Sequence, residues 1–287
     1  MKIFILSHLI HTFAAWIFTN RLDVSPRQGS RDVGSYGARM IYGIIAAGFG
    51  SRLQKEGISV PKPLIDIGGE SLLDRLIRIF MDNDASEIVV ICNDQTAEVA
   101  GHLAVLQRDG LQGRRLPLRF KAKSTPSSMH SLHELSCWLR RRGEPFVVTT
   151  VDTVFDEGEF ARFVRAFGCC GSDGLMGVTS YIEDEKPLYV DVEMPLMRIS
   201  GYYDEPHDCR YISAGIYGLR PAALDILDRC IVNGEARMRN YQRALLREGQ
   251  RLQAFAFGKV IDIDHATDVE QARRQLSVSA VTEASSR

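Results

Sequence analysis

One stretch of the sequence, IYGIIAAGFGSRLQKEGISVPKPL at positions 41–64, limits what this chain can fold into more than any other. It opens with closely spaced isoleucines and alanines, a short apolar run typical of a strand that is buried on both faces. Gly48, Phe49 and Gly50 follow, and two glycines permit positive φ angles and close approach of a ligand to the backbone. Successive N–H groups in such a turn can line a concave anion site. The stretch therefore predicts a buried strand that ends in an anion-binding turn.

Two basic residues support this interpretation. Arg52 carries a planar fork of donors suited to phosphate oxygens. Lys62 stands between Pro61 and Pro63, whose φ angles are fixed. The dinucleotide-binding fingerprint would need a glycine where Leu53 stands, and the Walker loop would need a Gly-Lys-Ser/Thr sequence that the stretch lacks. A short Gly-Phe-Gly alone could also be an ordinary strand-to-helix turn, but the whole stretch indicates a polyphosphate cradle.

The run AAGFGSRL, a spacer and PKPL resemble the motif of the nucleotidyltransferase family that makes nucleoside-diphosphate sugars and CDP-alcohols. That motif is approximately L-A-A-G-x-G-x-R-L, followed after a spacer by P-K-P-L. The resemblance implies catalytic roles for Arg52, which would hold the β- and γ-phosphates, and for Lys62, which would hold the α-phosphate. It assigns nucleotide binding to residues of the turn and of a later loop: Ala46, Ala47, Gly48, Phe49, Gly50, Ser51, Pro126 and Ser128.

Composition narrows the class of protein. The 287 residues are 45% hydrophobic and 25% charged, as in an ordinary globular protein. Lys plus Arg number 35 against 36 for Asp plus Glu, and this balance gives no support for a nucleic-acid partner. The six cysteines form no C-x-x-C pair, and the adjacent Cys169 and Cys170 suit neither a disulfide nor a zinc site. Reduced thiols in a cytoplasmic protein are the simplest interpretation.

Residues 1–39 differ in character from the rest of the chain. Lys2 precedes an apolar run from Ile3 to Phe18, a layout that a signal peptide also has. The run is too short in continuous apolar residues to span a membrane. Since an enzyme that consumes nucleoside triphosphates belongs in the cytosol, we interpret 1–39 as a disordered, non-functional extension and expect a chain that begins at Met40 to fold. The domain is then 40–276, with a frayed tail at 277–287.

Downstream of Met40, strand and helix patterns alternate. This alternation predicts an α/β fold, a Rossmann-like and mainly parallel mixed sheet flanked by helices. Ligands bind such sheets outside the carboxyl ends of the strands. The predicted elements are a helix from Ser71 to Asp82, a strand at Ile88–Cys92, a helix near 95–107, a strand at Leu118–Lys121, a helix from Ser127 to Arg142, a strand at Phe146–Val151 and a helix near 157–167.

The later part of the chain is richer in β segments. By the family resemblance these form an antiparallel extension on the acceptor side of the cleft, as in nucleotide-diphospho-sugar transferases. The predicted strands are Leu175–Tyr181, Leu188–Val192, Leu196–Ile199 and Tyr211–Leu219, followed by a helix near 236–248, strands near 252–263 and a last helix from Ala266.

Aspartates supply the predicted metal site. Asp152 ends a buried strand and is either a turn residue or a ligand of Mg²⁺, which prefers hard oxygen donors. The resemblance favours the metal role, although the family usually has glycine where Val151 stands. In IDIDHATDVEQA, Asp262 and Asp264 alternate with isoleucines and project to one face of a strand. The resemblance implies that Asp262 is the second ligand and Asp264 a third, with a plain turn carboxylate as the alternative for Asp264.

The resemblance implies one reaction. A phosphorylated sugar would attack the α-phosphate of a nucleoside triphosphate, release pyrophosphate and become a nucleoside-diphosphate sugar. The attacking phosphate is already an anion, so no side-chain base is required, and catalysis reduces to positioning and charge neutralisation by the protein and Mg²⁺.

The acceptor side departs from the family pattern. Sugar-1-phosphate members commonly carry Glu-Lys-Pro before the acceptor strand, whereas this chain reads Asp204-Glu205-Pro206. Lys186 is the nearest replacement for the missing lysine, although a lone loop lysine is usually just solvated. Gly215, in YISAGIY, matches the strand that lines the acceptor pocket.

The loop Lys123–Leu132, KSTPSSMHSL, is the predicted base-selecting segment. Sugar-nucleotide members often have Q-P-x-G-T-A here, with glycine where this chain has Ser128. The run from Ser128 to Leu132 instead resembles N-x-x-S-L of phosphocholine and inositol-phosphate cytidylyltransferases. Ser127 and Ser128 would then meet a pyrimidine edge, or Ser127 would cap the next helix. This pattern favours cytidine.

Two alternatives stay open from sequence. One is a cytidylyltransferase that acts on a phospho-alcohol such as phosphocholine. The other is a non-catalytic regulatory module on the same fold, which loss of Arg52, Lys62 or Asp152 would have indicated, but all three are present. The expected partners are a nucleoside triphosphate and a phosphorylated small molecule, with no nucleic acid and no membrane, and a homo-oligomer is left open.

Overall fold

The strands and helices follow directly from the apolar patterns of the chain. A computed structural model describes residues 40–182 and 185–285, with side chains up to position 277. The interpretation of 1–39 as an extension therefore lies outside the described residues, as do 183, 184, 286 and 287. The strands are β1 Met40–Ala46, β2 Ala85–Cys92, β3 Leu118–Ala122, β4 Phe146–Thr150, β5 Thr153–Val154, β6 Gly174–Thr179, β7 Tyr189–Glu193, β8 Arg198–Tyr203, β9 Tyr211–Leu219, β10 Leu252–Phe257 and β11 Ile261–Asp262.

The helices lie between the strands and are mostly short. They are α1 Ser51–Lys55, α2 Leu72–Asp82, α3 Ala97–Asp109, α4 Ser128–Leu139, α5 Glu157–Cys169, α6 Ala222–Val232, α7 Met238–Arg247 and α8 Ala266–Ser285, with a 3-10 turn at Lys62–Leu64. Ser71 caps α2 as predicted, because its hydroxyl accepts a hydrogen bond from the Asp74 N–H at 3.0 Å. In the described ranges, no helix combines the length and the apolar character needed to cross a bilayer.

One large mixed sheet organises the described part of the chain. Its strand order is β3-β2-β1-β4-β9-β6-β10-β8-β7, and β7 also pairs with β9. Strands β3, β2, β1 and β4 are parallel neighbours, while β9 runs antiparallel to both β4 and β6. The predicted mainly parallel sheet with an antiparallel extension is therefore confirmed. Within the extension, β6 and β10 form a further parallel pair.

Helices cover both faces of this sheet. Along β1, Tyr42 and Ile44 belong to one apolar core with α2, α3, α5 and α8, while Ile41 and Ile45 belong to a second core with α4, α6 and α7. Burial on both faces accounts for the nearly continuous apolar sequence of β1. With both faces filled, the carboxyl-terminal edge of the parallel strands is left for a ligand.

A second, two-stranded sheet determines where the site forms. Strand β5 pairs antiparallel with β11, so that Thr153 lies opposite Asp262 and Val154 opposite Ile261. The Ile263 N–H also donates a hydrogen bond to the Asp152 carbonyl at 3.0 Å. This pairing brings the two aspartate-containing segments of the sequence together.

The structure differs from the sequence prediction at three element ends. Leu196 does not begin a strand: it lies in the turn between β7 and β8 and is 71% exposed, so its apolar character had misplaced the strand start. Helix α4 ends at Leu139 rather than Arg142, because the chain turns toward Gly143, whose φ is +66°. Helix α8 continues through position 285, so the backbone of 277–285 is helical.

Candidate active site

The glycine-rich turn has the geometry that its sequence requires. Gly50 precedes α1 with φ 62° and ψ 28°, the left-handed region that glycine adopts at least cost. A Cβ at this position would lie 3.3 Å from the Lys62 Cβ, so the turn and the proline-flanked lysine are in close contact. Phe49, between the glycines, is 56% exposed. The turn therefore presents open backbone and an exposed ring at the end of β1.

Lys62 joins two acidic segments from distant parts of the chain. Its Nζ donates hydrogen bonds to Asp152 Oδ2 and to Asp264 Oδ1, each at 2.8 Å. The lysine side chain is only 9% exposed, against 23% for Asp152 and 45% for Asp264. Burial alone would lower the pKa of Lys62, but the two carboxylates outweigh it and raise that pKa above its ordinary value. For Asp152, burial alone would raise the pKa of the carboxyl group. The Lys62 ammonium outweighs burial and holds that pKa below its usual value.

Arg52 approaches the same carboxylate from the other side. Its Nη1 donates to Asp264 Oδ2 at 2.8 Å, and its Nη2 lies 3.6 Å from Glu185 Oε2. Asp264 therefore accepts Lys62 on one oxygen and Arg52 on the other. Both predicted catalytic residues, Arg52 and Lys62, thus meet Asp264 at the edge of the sheet.

The segment that carries Asp264 is anchored by its neighbours. Asp268 Oδ2 accepts hydrogen bonds from the N–H groups of Asp264, at 3.0 Å, and His265, at 2.7 Å. Glu56, just after α1, accepts from His265 Nδ1 at 2.6 Å and from the Ala266 N–H at 2.7 Å. These contacts attach the start of α8 to the end of α1, beside the glycine-rich turn.

Asp262 lies in a different environment from Asp264. Its Oδ1 accepts a hydrogen bond from Thr153 Oγ1 at 3.2 Å, and Thr153 Oγ1 in turn lies 2.7 Å from Thr150 Oγ1. The predicted acceptor residue Gly215, with φ +70°, packs against this pair, since a Cβ there would lie 3.1 Å from Thr153 Oγ1. Sequence reasoning missed the two threonines, although Thr150 ends the strand that precedes Asp152 and Thr153 directly follows Asp152.

The donor set fits a magnesium ion in part. Within 40–182 and 185–285, no cluster of three or more His, Cys, Asp or Glu side chains is arranged to hold a metal ion. Asp152 and Asp264, however, both reach one small cationic group, the Lys62 ammonium, at 2.8 Å. Mg²⁺ is commonly held by one or two carboxylates with substrate phosphates completing its shell. The described residues therefore fit a site completed by a bound substrate, with Asp152 and Asp264 as the convergent pair.

A cavity, which we name the cleft cavity, lies between the glycine-rich turn and the loop before α4. It measures about 400 Å³, and its walls include most of the predicted nucleotide-binding residues. Thr125, Ser127 and Ser131 of the predicted base-selecting loop 123–132 also line it, and so does Thr150, which was not predicted. The predicted residues on its walls are Ala47, Gly48, Phe49, Lys62, Pro126, Ser128 and Asp152.

The loop before α4 is fixed by its own hydroxyl groups. Thr125 Oγ1 lies 2.6 Å from Ser131 Oγ, and Ser127 Oγ lies 2.9 Å from His130 Nδ1. Ser127 precedes α4 without a side-chain capping bond to it. Ser127 therefore occupies the N-cap position of α4, but its hydroxyl makes no capping bond there. Its hydroxyl instead accepts a hydrogen bond from the Arg237 N–H at 3.3 Å.

The predicted acceptor residues do not line the second cavity of the site. This acceptor-side cavity measures about 80 Å³ and is lined by residues that include Arg52, Tyr181, Ser213, Asp262 and Asp264. Its lining includes none of Lys186, Asp204 and Gly215, although Ser213 and Ala214 from the same strand as Gly215 take part.

Two arginines of α7 form ion pairs with Asp204, one of the predicted acceptor residues. Asp204 forms ion pairs with Arg239 at 2.6 Å and with Arg243 at 2.8 Å. Arg239 also donates to the Lys186 carbonyl at 2.9 Å. Sequence reasoning missed these arginines because helical periodicity alone does not indicate which loop a helix contacts.

Sequence comparison identifies a family and individual proteins that are similar to this chain. The family described as MobA-like NTP transferase domain matches residues 43–197. A probable mannose-1-phosphate guanylyltransferase from Oryza sativa subsp. japonica is 25% identical over 191 residues, covering 64% of this chain and 51% of the relative. A mannose-1-phosphate guanylyltransferase catalytic subunit beta from Xenopus tropicalis is 23% identical over 230 residues, covering 78% and 61%. The chain thus spans about half the length of the curated relatives it matches.

Solved structures share the fold. An inositol-1-phosphate CTP transferase from T. maritima superposes with a TM-score of 0.67 at 17% identity, over 83% of this chain and 96% of that chain. A UTP-bound UGPase from Acinetobacter baumannii gives a TM-score of 0.69 at 13% identity, over 84% and 94%. The family match covers more than half of the sequence, and its residues include the glycine-rich turn, Lys62 and Asp152. This chain therefore belongs to the family of MobA-like NTP transferase domains.

Proposed function

We propose that the chain is a magnesium-dependent nucleotidyltransferase that moves a nucleoside monophosphate from a nucleoside triphosphate to a phosphorylated sugar and releases pyrophosphate. The observation that carries the proposal is that Lys62, on the wall of the cleft cavity, donates hydrogen bonds to both Asp152 and Asp264, each at 2.8 Å. Three distant segments of chain supply these groups, and Asp152 follows β4 at the carboxyl-terminal edge of the parallel strands, where α/β sheets bind ligands.

Charge balance supports a divalent cation in this site. Lys62 and Arg52 face Asp152, Asp264 and Glu185, so the fixed charges nearly cancel before any substrate enters. A triphosphate would add several negative charges beside those carboxylates. Asp152, Asp264 and Asp262 would hold Mg²⁺, which would supply positive charge to offset the negative charge of the α-phosphate and of the acceptor phosphate.

The protein side chains have separate tasks in the proposed reaction. Arg52 holds the departing β- and γ-phosphates. Its guanidinium can leave Glu185 to reach them, because the ion pair between these two exposed side chains is weak. Lys62 holds the α-phosphate, where its raised pKa keeps it charged. The acceptor phosphate is already ionised, so no described side chain needs to remove a proton. Catalysis then rests on position and on preorganised charge.

A phospho-alcohol is the second candidate acceptor. The observation that favours it is at Asp204, whose carboxylate is held by Arg239 and Arg243 and so is engaged before any sugar hydroxyl arrives. The same position in sugar-1-phosphate members belongs to the Glu-Lys-Pro run that this chain lacks. An acceptor with fewer hydroxyl groups would not require that carboxylate.

Pyrophosphate release tests the proposal directly. The full chain is mixed with Mg²⁺, each of CTP, UTP, dTTP, GTP and ATP, and either a hexose 1-phosphate or phosphocholine, and pyrophosphate is measured by a coupled phosphate assay. Release that requires both substrates supports a nucleotidyltransferase, and the productive acceptor separates the two candidates. Triphosphate binding without release for any acceptor would favour a non-catalytic module.

A further inference from the structure

Asn93 is a polar side chain in a place where apolar ones are usual. It follows directly after β2 and is only 1% exposed. Its Nδ2 donates a hydrogen bond to the Ala47 carbonyl at 3.2 Å. Its Oδ1 accepts from the Gln95 N–H at 2.8 Å and from Ser124 Oγ at 2.9 Å. A carbonyl can only accept and a backbone N–H can only donate, so these two partners fix which way the amide points.

The partners of Asn93 belong to opposite sides of the cleft cavity. Ala47 continues β1 into the glycine-rich turn and lines the cavity. Ser124 begins the loop that reaches the cavity through Thr125, Pro126 and Ser127. Because β2 lies between β1 and β3 in the sheet, the side chain that follows β2 can reach the ends of both neighbours. Asn93 itself does not line the cavity.

We propose that Asn93 is a positioning residue that sets the separation between the glycine-rich turn and the loop 123–132, which we name the base-side loop. It thereby controls how tightly the cleft cavity holds a nucleoside. The inference rests on the proposed function, since it takes a nucleoside triphosphate as the ligand. It goes beyond that function by assigning nucleoside affinity to a buried residue that does not line the cavity.

Asp94 provides a matched comparison beside Asn93. Its carboxylate also accepts a hydrogen bond from the Ser124 hydroxyl, but Asp94 is exposed and makes no contact with Ala47. A change at Asp94 therefore affects only the base-side loop, whereas a change at Asn93 affects both sides. The glycine-rich turn keeps a support of its own in either case, because the Gln54 N–H donates to the Gly50 carbonyl at 3.2 Å.

Asn93→Asp is the informative variant. It keeps the shape of the side chain but places a carboxylate oxygen against the Ala47 carbonyl, so two acceptors face each other in a buried site. Loss of a buried hydrogen bond of this kind corresponds to a change of about tenfold or more in binding when binding depends on the geometry. Inorganic triphosphate, which lacks the nucleoside, should bind to the turn with a dissociation constant within about twofold of wild type, given the support from Gly50.

The experiment compares Kd values by calorimetry, in Mg²⁺, for inorganic triphosphate and for the nucleoside triphosphate that wild type prefers. We expect Asn93→Asp to raise the Kd of the nucleotide about tenfold and to leave the Kd of inorganic triphosphate nearly unchanged. Both Kd values of Asp94→Asn should be close to those of wild type. Equal losses for both ligands, or an unchanged nucleotide Kd, would overturn the inference. If Asn93→Asp does not fold, Ser124→Ala decides when it is compared with Asp94→Asn, because it removes the contacts to both Asn93 and Asp94. A selective nucleotide loss a few-fold greater than that of Asp94→Asn supports the inference, and no greater loss contradicts it.

Wild type separates this inference from the proposed function. If wild type binds no nucleoside triphosphate, the proposed function fails and the inference falls with it. If wild type binds one and the variants are unaffected, only the role of Asn93 is wrong.

Discussion

Lys62 Nζ lies 2.8 Å from Asp152 Oδ2, although 90 positions separate the two residues along the chain. The contact forms because the proline-flanked turn after α1 and the end of β4 meet at one edge of the sheet. The same ammonium is also 2.8 Å from Asp264 Oδ1, so a single lysine holds two carboxylates that would otherwise repel each other. Lys62 therefore contributes both to the folded structure and to the charge pattern of the site.

Replacing Lys62 by methionine should lower kcat/KM by about 10²-fold or more, because one preorganised charge that faces the α-phosphate is lost. The melting temperature should also fall, since the largely buried carboxylate of Asp152 loses its partner. Pyrophosphate release and thermal unfolding measure the two effects. Lys55→Met, on the exposed face of α1, is the matched control and should change neither. A Lys62 variant with normal activity would remove the residue from the reaction.

Replacing Asp152 or Asp262 by asparagine should lower kcat by about 10²-fold or more, the scale of losing one charge-stabilising group. The structure extends this expectation to Asp264→Asn, because Asp264 shares Lys62 with Asp152. The rates are measured at saturating Mg²⁺, together with the Mg²⁺ concentration that gives half-maximal rate. Near-normal kcat in any one variant would exclude that carboxylate from the metal site.

Glu157 should make part of the stability depend on pH. Hydrogen bonds from Arg78, at 2.8 and 2.9 Å, hold the pKa of Glu157 below its ordinary value despite partial burial, and Arg75 adds to the effect. A carboxylate with a lowered folded-state pKa stabilises the protein above its unfolded pKa, about 4.3, and loses that contribution as pH falls through the folded value.

The measurement for Glu157 is the melting temperature between pH 7 and the acid limit of folding. Wild type should lose more stability on acidification than Glu157→Gln, and the two curves should converge at low pH. Glu98→Gln, at an exposed position of α3, serves as the control and should follow wild type. Parallel curves for wild type and Glu157→Gln would contradict the assignment.

Base selection is predicted to lie in the loop 123–132 and to favour cytidine. Thr125, Pro126, Ser127 and Ser128 of this loop line the cleft cavity. Thermal stabilisation by CTP, UTP, dTTP, GTP and ATP with Mg²⁺ measures the preference, since a ligand raises stability by RT ln(1 + [L]/Kd). A clearly larger shift with GTP, UTP or dTTP than with CTP would contradict the cytidine prediction and favour the sugar-nucleotide acceptors.

Much of the fold and half of the site followed from local sequence patterns. The apolar run of β1, the glycines after it and Asp152 after β4 each report on their own segment, and strand ends of a parallel sheet meet at one edge. The pairing of Asp264 rather than Asp262 with Lys62 did not follow, because it depends on the register of β5 with β11. Strands of two residues have no periodicity from which a register could be read.

Contacts between a helix and a distant loop also could not be predicted from the sequence. The arginines of α7 that hold Asp204 are 35 or more positions away, and their helical pattern indicates only that they face outward from the core. Asn93 is a different case. It follows a strand of the same parallel set as Asp152, and the strand-end rule that found the aspartate would have found the asparagine too.

The position of β9 has a consequence for how the chain is assembled. Residues 211–219 lie between β4 and β6 in the sheet, yet the family match ends at 197, so the segment that the family match covers does not contain the whole sheet. On a ribosome, β1 to β4 can pair early, but β6 has no edge to join until β9 has emerged. Strand β11 and Asp264 emerge later still. The nascent chain therefore completes the walls of the cleft cavity before it acquires its full set of carboxylates, and it exposes an unpaired edge of β4 in the interval.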